Sequence, residues 1–524
     1  MSYFNKCKLS LLFSLEIIFL FSSVVNAVVI PNKNDKVVHL NLEKRVNTDL
    51  SPIEAALSGS IELYVDLEIG TPEQHVRVLF DTEAADTWVT SPSNPLCKNS
   101  TVCVEYGTYE AKNSSTYKLN STLGDLRIDT EDYSLNGTWV QDTVRLGDLS
   151  VENFVFGVAN ESDIRKGVLG VGFESLEVSG NSVYPNFPQA LKDGGYINKK
   201  AYSLFTNSYC ASEGSVIFGA VDASKYTGDL YTLPLVNGSD STDFTVALQG
   251  LGVITAADEK VTIIDTPTAL VFDNTETTST FPTVIADAIA ALVNATYTSD
   301  GIYHLTCPDE SDASTIVLDF GGVHIYIPII SFIAYDDDAD ACYLGFFPPD
   351  DDDNQVTSVL GGTILQDLYV VYDLESYEIS IAHANLAGVN ESDVQVITST
   401  IPGATKVPGY SSTSVATNFT TGGNIFTLSS EPINPWLTTE IRGCNQDNWI
   451  TVNGTYTTAP ANGTATSGYT TISSSDATYV TPTSSNSVAN SSSTATITSK
   501  AGASSLKLEK MLFSTIVFIV SILF

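Results

Sequence analysis

The sequence predicts an all-β chain with few helices, built as two similar lobes. Three observations carry this. From about Ile61 to Ala384, Val, Ile, Thr, Tyr and Phe recur in short runs cut by Gly, Asn, Asp and Pro, as in IELYVDLEIG, SVIFGAV, VHIYIPII and YVVYDL. Residues of this kind suit a pleated, half-buried surface. Helices look few, the better candidates being Asn186 to Gly194 and Thr283 to Val293. The chain also repeats itself weakly. VLFDT at Val78 to Thr82 returns as TIIDT at Thr262 to Thr266, 184 residues on, and GVLGVG at Gly167 to Gly172 returns as SVLGGT at Ser358 to Thr363 about as far along. Each half thus holds an apolar strand ending in Asp-Thr and a later one ending in Leu-Gly.

The elements follow in order. Residues 1–27 read as a secretory signal peptide, with Lys6 and Lys8 ahead of an apolar run and small residues before Ala27. Residues 28–45 read as a propeptide ending in the dibasic pair Lys44-Arg45. The two β lobes are placed at 55–230 and 231–390. Past Asn390 Ser, Thr, Asn and Gly dominate, so 391–505 reads as a glycosylated stalk, with Ile425, Phe426, Trp436, Ile441 and Cys444 as residues that can pack back on the body. Residues 506–524 end in an apolar tail, Met511 to Phe524, too short for the ~20 residues a membrane helix needs. With the polar spacer and small residues before it, this reads as a signal for a glycosylphosphatidylinositol (GPI) anchor.

Composition narrows the partners. Of 524 residues, 61 are Asp or Glu and 24 Lys or Arg, a net charge of -37. Nucleic acid and anionic membrane would repel such a chain, whereas cationic peptides suit it. A monomer is expected. Six cysteines remain once Cys7 leaves with the signal peptide. Cys97 can pair with Cys103 and Cys307 with Cys342, leaving Cys210 and Cys444. Twelve Asn-x-Ser/Thr sequons run from Asn99 to Asn490. With five histidines and no Cys/His spacing of a ligand set, neither metal nor other cofactor is expected.

The duplicated Asp-Thr points to a chemistry. Two carboxylates facing one another across a cleft share a single proton, because like charges a few ångströms apart resist ionising together. One then serves as general base toward a water and the other as acid toward a carbonyl. Asp81 and Asp265 are the expected pair, and Thr82 and Thr266 the residues that hydrogen-bond across to the opposite turn.

These segments resemble the pepsin-like aspartic proteases, most closely the GPI-anchored fungal yapsins. YVDLEIGTPEQHVRVLFDTEAADTWV follows the first active-site segment of that family, and GVLGVGFE, GSVIFGAVDASKYTGDLYTLPLV and VLGGTILQDLYVVYDLESYEISIAHAN follow later ones. The resemblance covers about Ile61 to Asn385. It implies a bilobal β fold, polypeptide substrates often cut beside basic residues, an acidic pH optimum, and a part in surface-protein processing or cell-wall maintenance.

Three departures accompany the resemblance. The family's first turn reads Asp-Thr-Gly-Ser, where this chain has Glu83 and Ala84. Its second reads Asp-Ser/Thr-Gly-Thr, where the expected turn has Asp265-Thr266-Pro267-Thr268, with proline removing an N–H donor. The family's flap tyrosine aligns with Asp129 or Thr130; Tyr133 lies three or four residues off, although its usual partner, Trp88, is present. Two functions are therefore weighed: a slow or unusual endopeptidase, and a pseudoprotease that binds peptides or wall components without cutting.

Overall fold

The computed structural model describes residues 36–46 and 61–427, with gaps at 98–101, 130–132, 179–182, 209–210, 277, 300, 308–313, 337–340, 348–356, 387–391, 417 and 419–420. The signal peptide, the anchor signal, Trp436, Ile441, Cys210 and Cys444 lie outside the described residues.

The first lobe is assembled from β1 (Val38–Val46), β2 (Ile61–Ile69), β3 (Gln74–Asp81), β4 (Trp88–Thr90), β5 (Asp125–Asp129), β6 (Ser134–Leu146), β7 (Leu149–Ser162) and β8 (Gly167–Gly170). Alternation does the work in β3: Val76, Val78 and Phe80 are buried, while His75 and Arg77 lean outward. Helix α1 (Phe187–Asp193) follows. Asn186 caps it by accepting the Gln189 amide, Pro188 sits in its first turn, and it ends at Gly194.

A shared layer comes next, with β9 (Ala201–Phe205), β10 (Glu213–Phe218) and β11 (Tyr226–Pro234). The second lobe holds β12 (Thr245–Leu248), β13 (Gly250–Ile254), β14 (Lys260–Ile264), β15 (Thr268–Phe272), α2 (Thr283–Leu292) and β16 (Thr357–Leu360). The chain then returns to the shared layer as β17 (Leu368–Asp373) and β18 (Glu378–Ala384). One sheet runs through the molecule in the order β11-β18-β17-β9-β10-β1-β2-β3-β8-β4-β7-β6, and smaller sheets complete the second lobe. A single apolar core joins Val78 and Phe80 to Leu270 and Phe272 through Tyr202, Phe244 and Tyr372. The all-β bilobal architecture expected from the sequence is the one found.

Three boundaries differ from the sequence reading. The dibasic pair does not precede the folded body: Lys44 and Arg45 lie inside β1, which hydrogen-bonds to β10 on one side and β2 on the other. Lys44 is buried, its ammonium donating to the Ser208 carbonyl at 2.7 Å and to Gln366 Oε1 at 3.3 Å. Arg45 pairs with Glu43 at 2.8 Å and with Glu105. Strand status here comes from two neighbours distant in sequence, so the local text hides it. The boundary at residue 230 falls in the middle of β11. The boundary at 391 also falls within the body, because Val394–Val396 pairs with Ala220–Asp222, Ala404–Lys406 runs parallel to β11, and Ile397, Ile401 and Ile425 are buried.

Both described disulfides join the expected partners. Cys97–Cys103 closes a six-residue separation and Cys307–Cys342 one of 35.

Candidate active site

Strand β3 delivers Asp81 to a tight turn. Its Oδ1 accepts the amides of Glu83 at 2.8 Å and Ala84 at 2.9 Å, and its carbonyl accepts the Val171 amide at 2.9 Å. β3 lies parallel to β8, with Asp81 opposite Gly170. Position 170 requires glycine: a Cβ there would stand 2.6 Å from the Asp86 carbonyl oxygen and 2.7 Å from that of Ala84.

The same construction occurs in the second lobe at Asp273. Strand β15 lies parallel to β16, with Phe272 opposite Leu360. Asp273 Oδ1 accepts the amides of Thr275 at 2.8 Å and Glu276 at 3.3 Å, and also the Thr275 hydroxyl at 2.7 Å. Gly361 stands where Gly170 stands in the first lobe; a Cβ on it would meet the Thr278 carbonyl at 2.4 Å and that of Glu276 at 2.6 Å. In each lobe the obstructing carbonyls belong to the residues three and five past the aspartate.

The two turns are locked by Asn274. Its Oδ1 accepts the amide and the hydroxyl of Thr82, and its Nδ2 donates to the Phe80 carbonyl. All three bonds are buried and join residues 192 to 194 apart. Asp81 and Asp273, each one residue away from this lock, are therefore the two carboxyls brought to one place.

Asp265 is not part of this pair. It precedes β15, whereas Asp273 follows it, and a five-residue strand of about 17 Å separates them. Asp265 is exposed and accepts the Asn424 amide at 3.1 Å. Thr266 and Pro267 connect β14 to β15, the Pro267 carbonyl accepting the Ala416 amide at 2.8 Å. Thr268 opens β15, fully buried, its hydroxyl without a partner among the described residues. β14, the strand that Asp265 ends, pairs antiparallel with β13. Only β15 has the parallel partner that makes the turn, so the crossing residue is Asn274 rather than Thr266.

Glu83 turns its carboxyl inward. Oε1 is wholly enclosed without a hydrogen-bond partner among the described residues. Burial raises the carboxyl well above its ordinary range; Asp273, Asp243 and Asp81 push it further up, against the pull of the Phe244 amide. Glu83 thus brings a third carboxyl, biased toward its protonated form, beside Asp81 and Asp273.

A family profile described as eukaryotic aspartyl protease matches residues 62–384. The chain belongs to that family. It is 39% identical over 381 residues to aspartic proteinase yapsin-3 of Saccharomyces cerevisiae, covering 69% of this chain and 74% of the relative. It is 34% identical over 447 residues to aspartic proteinase 3 of the same yeast (70% and 77%), and 36% identical over 374 residues to its barrierpepsin (65% and 63%). These relatives place it among the yapsin-related members.

In the region where the family pattern expects a flap, β5 and β6 pair antiparallel, with Asp129 opposite Ser134. Thr130 is outside the described residues, and Asp129 is exposed. Tyr133 packs its ring 5.6 Å from that of Trp88, whose indole Nε1 is buried without a partner among the described residues. Tyr133 thus meets the tryptophan by ring contact.

Two residues of this candidate site escaped the sequence reading, Asp273 and Asn274. One signal could have found them: Val78-Leu79-Phe80-Asp81 returns as Leu270-Val271-Phe272-Asp273, both ending in Phe-Asp. The spacing agrees, because Gly167 to Ser358 is 191 residues, and the same step from Asp81 ends beside Asp273. Chemically, two carboxyls that each receive backbone amides on one oxygen, in turns joined by a shared cross-link, can share one proton and activate a water.

Proposed function

We propose that this chain is an aspartic-type endopeptidase whose dyad is Asp81 and Asp273. The observation that carries this is the grip of Asn274 on Thr82 and Phe80, which ties the two aspartate turns to one another. The ionised carboxyl takes a proton from a water as it attacks the peptide carbonyl, and the protonated one gives its proton to the carbonyl oxygen. The tetrahedral intermediate then collapses as the amine leaves with a proton from the dyad. Donors already in place around each Oδ1 lower the cost of reorganising the site during this step.

Catalysis is slow or unusual in this reading, because Glu83 and Thr275 occupy the glycine positions of the two turns. The finer assignment is a secreted, monomeric, GPI-anchored surface protease acting on polypeptides near basic residues, in surface-protein processing or wall maintenance. It is supported by the two terminal signals, the sequons, the net charge of -37 and the yapsin relatives. A non-catalytic peptide binder is the second reading, favoured by the loss of both glycines and the displaced flap tyrosine.

The test is peptide hydrolysis by the full-length protein, with basic-residue substrates, from pH 3 to 7. Hydrolysis blocked by a pepstatin-type inhibitor and lowered about a thousandfold or more by either Asp81→Asn or Asp273→Asn supports the dyad. Peptide binding with no turnover in the wild type supports the binder.

A further inference from the structure

Beneath the first turn lie three buried oxygens: Glu83 Oε1 and the Tyr202 hydroxyl have no hydrogen-bond partner among the described residues, and the Tyr372 hydroxyl has only the Thr82 hydroxyl nearby, which already donates to Asn274. Tyr202 on β9 and Tyr372 on β17 face one another in the sheet register, their rings stacked 5.0 Å apart and fully buried. Both hydroxyls lie within electrostatic reach of Glu83. Glu83 itself hangs from the turn that holds Asp81, its amide on Asp81 Oδ1 at 2.8 Å. Its carboxyl reaches across to the Phe244 amide just ahead of β12.

The titratable groups facing it are Asp81 at the end of β3, Asp273 after β15, Asp243 ahead of β12, and the two tyrosines; no cation is among the charges acting on it. Buried polar atoms are almost always satisfied, by protein or by an ordered water. A site with several unpaired oxygens and no apolar alternative is where such a water belongs. Glycine at position 83 would offer none of this.

We propose that Glu83 is a positioning residue of the aspartate pair: its carboxyl shares an internal water with the Tyr202 and Tyr372 hydroxyls beneath the turn that holds Asp81. This rests on the dyad reading above. The acid stays neutral because a charge there would face three other carboxyls with no counterion. As a neutral group it puts no charge on the dyad, and the water it holds keeps the turn that carries Asp81 in place.

Two measurements on the full chain decide it. The infrared spectrum of the wild type minus that of Glu83→Gln at pH 7 shows the C=O stretch of a protonated buried carboxylic acid, a difference in which the other buried acids, Glu177 among them, cancel. That band is shifted in Tyr372→Phe, which removes one hydroxyl of the water site. Absence of the band from the difference overturns the proposal, as does a band that Tyr372→Phe leaves unmoved. The second measurement is the pH profile of kcat/KM. Glu83→Gln keeps the shape of the side chain and is neutral at every pH, as the acid is through pH 7, so both limbs of its profile match the wild type; Glu83→Ala, which removes the oxygens that hold the water, lowers kcat about tenfold with KM unchanged. A limb displaced by Glu83→Gln, or a kcat that Glu83→Ala leaves unmoved, overturns the proposal. If the wild type hydrolyses nothing, the endopeptidase reading fails while the infrared band still decides the state of Glu83.

Discussion

Asn274 binds Thr82 and Phe80 at once, accepting from the Thr82 amide at 2.8 Å and hydroxyl at 2.7 Å while donating to the Phe80 carbonyl at 2.8 Å. One side chain from the second lobe thus satisfies three buried groups of the first. Asn274→Ala leaves all three unpaired, and such groups cost about 1–3 kcal/mol each when buried, less whatever water can enter. A loss of about 2–4 kcal/mol in urea unfolding is expected, with kcat/KM down about a hundredfold as the two carboxyls lose their alignment. Asn274→Thr, with one hydroxyl that both donates and accepts, recovers part of each. Wild-type unfolding of Asn274→Ala would show the cross-link to be idle.

Asp265→Asn tests the choice between the two aspartates of the second lobe. Asp265 is exposed and meets the Asn424 amide rather than the first turn. Its kcat/KM is expected within about twofold of wild type, against the near-complete loss in Asp273→Asn. Equal losses in the two variants would return Asp265 to the site.

Stability should fall as pH rises through the neutral range, and Glu177 is one cause. Its carboxyl is pushed up to about 8, first by burial and then by the neighbouring Asp86 and Glu174 charges, against the pull of the Tyr184 amide and Lys200. Below the unfolded value near 4.5 both states are protonated, and Glu177 contributes no pH dependence. Between there and about 8 the unfolded chain gives up the proton while the folded chain keeps it, so stability declines with pH. Glu177→Gln removes this. Melting temperatures of the two proteins should agree at pH 4 and diverge by pH 8, the variant melting higher. Because the side chain is partly open to solvent, the gap is smaller than full burial would give.

Lys199 and Asp373 form an ion pair buried under the carboxy-terminal segment, with side-chain exposures of 7% and 1%. Lys199 also donates to the Ser376 hydroxyl at 2.7 Å and to the Ser399 carbonyl at 2.9 Å, tying residues past the expected stalk boundary to the central sheet. Lys199→Met strands a buried carboxylate and should cost about 3–5 kcal/mol by chemical denaturation. Adding Asp373→Asn removes the stranded charge and should recover part of that loss. No recovery would mean that the Ser399 contact, not the charge, dominates.

Much of this architecture was legible because it is written in alternation. Val76, Val78 and Phe80 announce β3, and the Asn186 cap with Pro188 announces α1. The first aspartate was legible for the same reason, as the polar stop at the end of an apolar strand. The second was misplaced because Asp265-Thr266 copies the letters of the first turn, whereas Asp273-Asn274-Thr275-Glu276 copies its geometry. What makes a turn of this kind is a parallel neighbour and a glycine on that neighbour, here β16 and Gly361, some ninety residues away. Asn274 could not be read as the lock, because one amide side chain replaces what the family pattern assigns to a hydroxyl. The inward turn of Glu83 depends on Phe244, Tyr202 and Tyr372, none of them near it in sequence.

The place of β1 has a consequence for maturation. A processing enzyme grips its substrate as a lone extended ribbon, yet the bond after Arg45 lies in a strand held against β2 there and against β10 just before it. Any cut at that bond must come before those pairings zip, while the chain is still emerging or loosened. A cut made later would leave the leader in place as a separate peptide that departs only when the sheet itself comes apart.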